Sequence, residues 1–273
     1  MKLKEKTEYL WEKYNFTPKK ELGQNFLIDP GIVDRIIESS KLTKADTVVE
    51  VGAGTGVLTE RLAKSAGKVI GVEIDEKLCQ ILKEELADYD NLKIICGDIE
   101  QFCFQKRFTQ SQSVKIVGNL PYQIASSFLL NLARKEWIKF MVVMVQREVA
   151  EKLLARPGEK KRGTLTVLMN YYTIINRVIN APPQVFIPAP KVASSLIRID
   201  RKENRLAKNE DRFMSVVKGA FRLRRKMLVN ALSSELGKDK TLIKERLNRI
   251  GIDGKRRAED LTVEEFVRIS EAL

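Results

Sequence analysis

The 273 residues suffice for one large domain or a domain with a small appendage, and a 44% hydrophobic share supports a packed core over global disorder. Lys and Arg number 49 against 36 Asp and Glu, a formal +13 that favours a polyanionic partner: nucleic acid or an anionic membrane face. Histidine is absent, which excludes a Ser-His-Asp triad, a Cys-His pair, a histidine zinc site and a histidine general base.

The chain opens on Met1-Lys2-Leu3-Lys4-Glu5-Lys6, mixed in charge with no apolar stretch behind it, and does not read as a secretory signal. Residues 1–24 are polar and basic, with Tyr9, Trp11, Tyr14 and Phe16 spaced through them, and suit a helical arm or lid. From about Ala45 a regular alternation sets in. Apolar strand-like runs occupy 47–51, 68–74, 92–96, 114–118 and 140–145, and helical spacing fills 58–66, 76–86, 125–133 and 147–155. Strands alternating with helices of this length predict an α/β fold of βαβ units, a parallel sheet with helices on both faces. The near-continuous hydrophobicity of each strand agrees, because such strands are covered on both sides. No run reaches the roughly 18–20 apolar residues that span a bilayer; the longest, 137–145, is short and interrupted by Lys139.

Four prolines (Pro182, Pro183, Pro188 and Pro190) crowd the stretch 181–190, a last strand is expected at 195–199, and 200–211 reads as a polar linker. The remainder carries helical patterns with turn signals at Gly237 and Gly251. The expected organisation is a catalytic domain with its N-terminal arm over 1–200 and a small all-α domain over 201–273. Residues 201–273 hold 19 Lys and Arg against 12 Asp and Glu, more than half of the surplus charge in about a quarter of the chain. Cysteine is limited to Cys79, Cys96 and Cys103, an odd number with no CxxC. That argues against a disulfide framework or zinc ribbon and for a reducing, cytoplasmic setting.

After the first strand comes Glu50-Val51-Gly52-Ala53-Gly54-Thr55-Gly56, leading into a helix. Glycines permit a tight turn and close approach of a ligand to the backbone, and a helix start offers free N–H groups. The spacing is G-x-G-x-G, not the G-x-G-x-x-G of dinucleotide folds, and no Gly-Lys-Ser/Thr of a Walker loop follows. Glu73 ends the second strand, where a carboxylate can accept both ribose hydroxyls of an adenosine ligand. Asp98 follows the third, where it can accept from an adenine amino group or simply cap the next segment. Ligands of open α/β sheets bind beyond the carboxyl ends of strands, where Gly52, Glu73 and Asp98 all fall.

The fourth strand ends in Gly118-Asn119-Leu120-Pro121-Tyr122. Asn-Leu-Pro-Tyr resembles the (Asp/Asn)-Pro-Pro-Tyr signature of adenosylmethionine-dependent amino methyltransferases, and its Leu form resembles that of the ribosomal RNA adenine N6 dimethyltransferases. Three further stretches are similar to that family: Leu22-Gly23-Gln24-Asn25-Phe26-Leu27, Phe186-Ile187-Pro188-Ala189-Pro190-Lys191-Val192-Ala193-Ser194, and Phe221-Arg222-Leu223-Arg224-Arg225-Lys226-Met227-Leu228. The proline-rich and basic blocks resemble the small-subunit (16S) enzymes more than the large-subunit resistance enzymes.

The motif has a physical reason of its own. An adenine amino nitrogen is a poor nucleophile because its lone pair is delocalised into the ring. Two acceptors aimed at its hydrogens draw it toward tetrahedral geometry. Asn119 offers a side-chain carbonyl and Leu120 a backbone carbonyl, Pro121 fixes the turn, and Tyr122 offers a flat face for the base. An activated sulfonium donor needs in-line placement more than acid–base chemistry, so a site without histidine is no handicap.

The resemblance implies a Rossmann-like class I methyltransferase sheet with helices on both faces, a small all-α C-terminal domain, and S-adenosyl-L-methionine as cofactor. It implies that Asn25 and Leu27 close over the methionine part, Gly52 meets the cofactor backbone, Glu73 binds the ribose, Ile74 packs on the adenine and Asp98 binds its amino group. Asn119 then serves both cofactor and substrate, and Phe186 stacks on the target adenine opposite Tyr122. It implies dimethylation of two adjacent adenosines in a 3′-terminal hairpin loop of 16S rRNA within the small ribosomal subunit, by a monomer without metal or membrane. Arg222, Arg224, Arg225 and Lys226 would hold RNA phosphates. The family's usual Asp is replaced by Ala193, which removes any polar role there. A large-subunit rRNA or DNA adenine methyltransferase and a non-catalytic RNA-binding assembly factor stay open at this stage.

Overall fold

Runs of β-branched residues build the sheet. In the computed structural model, which describes residues 2–102, 104, 108, 113–203, 206–223 and 225–273, β2 (Thr47–Val51), β3 (Lys68–Glu73), β4 (Leu92–Cys96), β5 (Val114–Asn119) and β6 (Ile138–Gln146) pair in parallel. With β7 (Thr173–Ala181) and β9 (Ser194–Arg201) they form a seven-stranded sheet in the order β4-β3-β2-β5-β6-β9-β7. From β2 the order steps one way to β3 and β4 and the other way to β5 and β6, so the switch point of the topology lies between β2 and β5. Crevices at such points take ligands.

The expected parallel sheet is in fact mixed, because β9 runs antiparallel to β6, with Gln146 opposite Ser194 and Phe140 opposite Asp200. The sequence reading has no strand at 173–181, where Asn176 and Arg177 interrupt the apolar run. A two-stranded antiparallel ribbon, β1 (Phe26–Leu27) with β8 (Phe186–Ile187), sets Leu27 opposite Phe186.

Helices take their places by capping and by their apolar faces. Asp29 caps α2 (Pro30–Ser40) by accepting from the Ile32 N–H at 2.9 Å, with Pro30 at the first helical position. Ile32, Val33 and Ile36 of α2 and Leu58 and Leu62 of α3 (Val57–Ser65) join Val48, Val69, Val117, Val142 and Leu196 in one buried cluster on the sheet. The arm helix α1 (Leu3–Lys13) buries Leu10 with Phe16, Phe26 and the Leu78 and Ile81 of α4 (Glu76–Glu85). Helices α5 (Ala125–Ala133) and α6 (Arg147–Leu153) flank β6 in sequence.

Cys79 of α4 and Cys96 of β4 form a disulfide, their Cα atoms 5.8 Å apart. The sequence reading argues against a disulfide framework and does not anticipate this single pair; Cys103 lies outside the described residues. Helix α4 lies along β4, which brings together residues 17 positions apart.

Residues 1–150 and 176–201 form one compact unit, and 151–175 with 202–273 form the other. The sequence reading draws its boundary after residue 200, whereas residues 151–175 group with the C-terminal helices. The reason is aromatic and polar packing. Tyr171 of α7 (Thr164–Tyr172) stacks on Phe213 of α8 (Glu210–Arg222) with ring centroids 4.3 Å apart, and the buried Arg162 donates to the Leu261 carbonyl at 2.9 Å. Helices α9 (Leu228–Leu236), α10 (Lys240–Arg249) and α11 (Val263–Ala272) complete this unit. No helix among the described residues is long and apolar enough to cross a membrane.

A tight turn feeds β3. A Cβ at Gly67 would overlap the Lys44 carbonyl oxygen, and backbone cannot move aside as a side-chain tip can. Gly67→Ala is therefore expected to cost about 2–3 kcal/mol in a urea titration. A change under about 0.5 kcal/mol would mean that the turn relaxes freely.

Candidate active site

The glycine turn after β2 is held open by its own backbone. Gly52 and Gly54 have φ of +70° and +58°, a region side chains avoid, and a Cβ on Gly54 would press on the Phe26 ring at 3.1 Å. The turn is tied to the neighbouring strand through Glu73. The Gly54 N–H donates to Glu73 Oε2 at 2.8 Å, and the Asp75 N–H donates to Oε1 at 3.0 Å. Each oxygen keeps a lone pair for a further donor, such as a hydroxyl. Burial pushes the Glu73 carboxyl up from its ordinary value despite these bonds.

Beyond β2, β3, β4 and β5 lies a cleft of about 1010 Å³, counting space open to solvent, lined by Asn25, Gly52, Glu73, Ile74, Asp98, Asn119, Leu120 and Tyr122. These predicted residues, from stretches up to about a hundred positions apart, thus share one cavity. Four acids line it (Glu21, Glu73, Asp98 and Glu100), and among the described residues no Lys or Arg does. In a chain of formal charge +13, that lining repels a pyrophosphate and suits a cation. Ile74 is 49% exposed in this wall, an apolar face ready for a flat ring. Asp98 Oδ1 accepts from the Glu100 N–H at 2.8 Å, the capping role anticipated for it, while its carboxylate still lines the cleft.

A smaller cavity adjoins, lined by Asn25, Leu27, Glu50, Gly52, Asn119, Met144 and Phe186 among others. Asn119 lines both. Its Nδ2 donates to the Asn25 carbonyl at 3.0 Å, which fixes the amide's orientation, and its Oδ1 is buried with no partner among the described residues. An orphaned buried acceptor is costly, and it marks a place where a donor is meant to arrive. The Leu120 side chain is buried and its N–H donates to the Met144 carbonyl. The Tyr122 hydroxyl bonds Ser194 Oγ at 2.9 Å, next to Ala193. Phe186 is buried, and of the two cavities it borders the smaller.

Sequence reasoning passed over Glu50, although its place two residues before Gly52 is a signal. Its carboxyl is 1% exposed, and Oε2 has no partner among the described residues. Burial pushes it up to about 8, with the charge of Glu73 adding and Thr59 opposing. Between its ordinary value near 4.5 and about 8 the group is protonated in the fold and ionised in the unfolded chain. The folded state then binds more protons, so stability falls as pH rises through that window, by at most about 1.4 kcal/mol per pH unit. Glu50→Gln removes this titration. The variant is expected to gain on the parent protein in urea titrations from about pH 5 to about pH 8, and parallel curves would contradict the assignment. Gln24 was also passed over as a single residue: it borders the cleft and donates to Asp75 Oδ2 at 2.9 Å.

The basic block lies in the second unit. Arg222 is exposed and pairs with Glu235 at 2.9 Å; Arg225 and Lys226 are exposed; Arg224 lies outside the described residues. Among the described residues no group of three or more His, Cys, Asp or Glu could hold a metal ion.

A doubly wound sheet with a glycine turn at its switch point, strand-end carboxylates and an Asn-Leu-Pro-Tyr turn defines a Rossmann-like methyltransferase, and the comparisons with known proteins agree. Residues 15–273 match the family model described as ribosomal RNA adenine dimethylase. The chain is 42% identical to the ribosomal RNA small subunit methyltransferase A of Bacillus cytotoxicus, over 98% of this chain and 95% of that protein, and 41% identical to that of Bacillus mycoides over the same shares. Among solved structures it is similar to a dimethyladenosine transferase from Plasmodium falciparum, with a TM-score of 0.79 and 26% identity over 89% of this chain and 95% of that one. It is also similar to the 23S rRNA methyltransferase ErmE, with a TM-score of 0.73 and 27% identity over 91% of this chain and 99% of that one. The chain belongs to the ribosomal RNA adenine dimethylase family.

Proposed function

We propose that this enzyme uses S-adenosylmethionine to dimethylate N6 of two adjacent adenosines in a hairpin loop near the 3′ end of small-subunit (16S) ribosomal RNA. The observation that carries the reading is the buried, unpartnered Oδ1 of Asn119 at the boundary of the two cavities. The small-subunit target follows the names of the curated relatives, which match nearly the full length of the chain. The residues present fit the cofactor: an acid-lined cleft suits a ligand carrying a sulfonium and an ammonium, Ile74 offers an apolar wall for its adenine, and Glu73 has lone pairs left for the ribose. When bound, S-adenosylmethionine supplies an activated methyl group on sulfur.

This chain's residues then do the rest. Gly52 lets the ligand reach the backbone, Asn25 and Leu27 border the methionine end, and Asp98 meets the adenine amino group. Asn119 Oδ1 and the Leu120 carbonyl accept the two hydrogens of the target amine and localise its lone pair for in-line attack. They stand where positive charge develops on nitrogen. Tyr122 and Phe186 hold the swung-out base between them, which requires an unstacked nucleotide. The surplus proton leaves to water. The site needs a single chain, and its compartment is that of its substrate, the bacterial cytoplasm.

The test is calorimetry with S-adenosylhomocysteine against NADH, followed by methyl transfer to isolated small subunits, free large-subunit RNA and duplex DNA. Binding of S-adenosylhomocysteine and transfer to small subunits are expected. Transfer to another substrate would move the target, and cofactor binding without transfer to any would favour an assembly factor.

The helical unit is proposed to hold RNA phosphates through Arg222, Arg224, Arg225 and Lys226. Removing Arg225 and Lys226 together is expected to weaken subunit binding about tenfold and to lower the slope of log affinity against log salt by about 2. An unchanged slope would take these two side chains off the phosphate backbone.

A further inference from the structure

We propose that Asp75 is a positioning residue that latches the N-terminal arm across the cofactor cleft. The inference rests on the reading of that cleft as the S-adenosylmethionine site. Asp75 follows β3, and its side chain is wholly buried. Its two oxygens have different work. Oδ1 caps α4, accepting from the Lys77 and Leu78 N–H groups at 3.0 and 3.5 Å. Oδ2 receives the Lys19 ammonium at 3.0 Å and Gln24 Nε2 at 2.9 Å, both from the arm. Gln24 Oε1 accepts in turn from the Lys19 N–H at 2.6 Å, so Lys19, Gln24 and Asp75 close a ring of bonds.

The next residue is pinned on the other side, where the Asn25 carbonyl accepts from Asn119 Nδ2 at the end of β5. The consecutive residues Gln24 and Asn25 are thus fastened beyond β3 and at the end of β5, and Glu21, Leu22 and Gly23, between the two Asp75-bound residues Lys19 and Gln24, line the cleft. Loss of the Asp75 side frees the segment before Gln24 and leaves the cofactor to order it on binding, which weakens affinity. Burial opposes the charge of Asp75, but Lys19, Gln24 and the Lys77 N–H outweigh it and hold the carboxyl below its ordinary value, so the latch is ionised at neutral pH.

Asp75→Asn separates latch from cap. Asn is as good an N-cap as Asp, so α4 keeps its start. The amide that replaces Oδ2 cannot accept from Gln24 or pair with Lys19. In the full-length protein, affinity for S-adenosylhomocysteine is expected to fall about tenfold and KM for S-adenosylmethionine to rise in step, with kcat at saturation moved less than about twofold. Trypsin should cut faster after Lys19 and Lys20. The double variant Gln24→Glu with Asp75→Asn reverses the pairing and should restore both affinity and protection. Affinity and cleavage within about twofold of the parent in Asp75→Asn would overturn the proposal, and so would a loss that the double variant does not restore. If the parent protein itself binds no S-adenosylhomocysteine, the cofactor reading fails, while the trypsin comparison, which needs no ligand, still decides for or against the latch.

Discussion

Asn119→Ala is expected to lower kcat for methyl transfer at least about a thousandfold, equivalent to about 4 kcal/mol of transition-state stabilisation. The loss originates at the orphaned Oδ1. A buried carbonyl with no partner among the described residues carries an unmet desolvation cost, and a donor that arrives only with the substrate relieves it. As the amine attacks, its hydrogens gain positive charge and the bond to Oδ1 strengthens, so the loss falls on kcat more than on binding. The second bond of this side chain, from Nδ2 to the Asn25 carbonyl, adds a loss of arm order, and S-adenosylhomocysteine affinity is expected to fall only about tenfold. Asn119→Asp keeps an acceptor but sets a carboxylate against the Asn25 carbonyl, and is expected to retain part of the activity. Full methyl transfer by the Ala variant would remove Asn119 from the chemistry.

Glu73→Gln is expected to weaken S-adenosylhomocysteine binding about a hundredfold. Glu73 is 5% exposed, and its oxygens accept from the Gly54 and Asp75 N–H groups. An amide replaces one acceptor with a donor, so one of these N–H groups faces another donor in a buried place. The same change removes a lone pair from the proposed ribose grip. The two contributions separate in a double-mutant cycle: an analogue lacking the ribose hydroxyls should bind the parent protein much more weakly than S-adenosylhomocysteine does, and should lose far less against Glu73→Gln. Equal losses against both proteins would confine Glu73 to holding the glycine turn.

Much of the site is legible in the residue order because it is built at strand ends, where local chemistry is written in short stretches. Glycines at 52, 54 and 56, an acid closing β3, an Asp after β4 and Asn-Leu-Pro-Tyr closing β5 each announce a turn of known habit. Parallel strands buried on both faces spell out their own boundaries, since Val48, Val49 and Val51 have no exposed side to interrupt with a polar residue. Glu50 shows the limit. Its position was visible, but its neutral state depends on how completely β3, β5 and α3 cover it, which no local pattern records.

What lay beyond the sequence is everything that joins distant residues. The antiparallel return of β9 beside β6, the pairing of Leu27 with Phe186, the disulfide between Cys79 and Cys96, the grouping of residues 151–175 with the C-terminal helices and the bonds of Lys19 and Gln24 to Asp75 all link positions that periodicity treats as independent. Hydrophobic spacing reports which face of an element is buried, not what covers it. The chain therefore declares its strand ends and its chemistry in one dimension, and the closure of the arm over the cleft follows from side chains that meet once the sheet has formed.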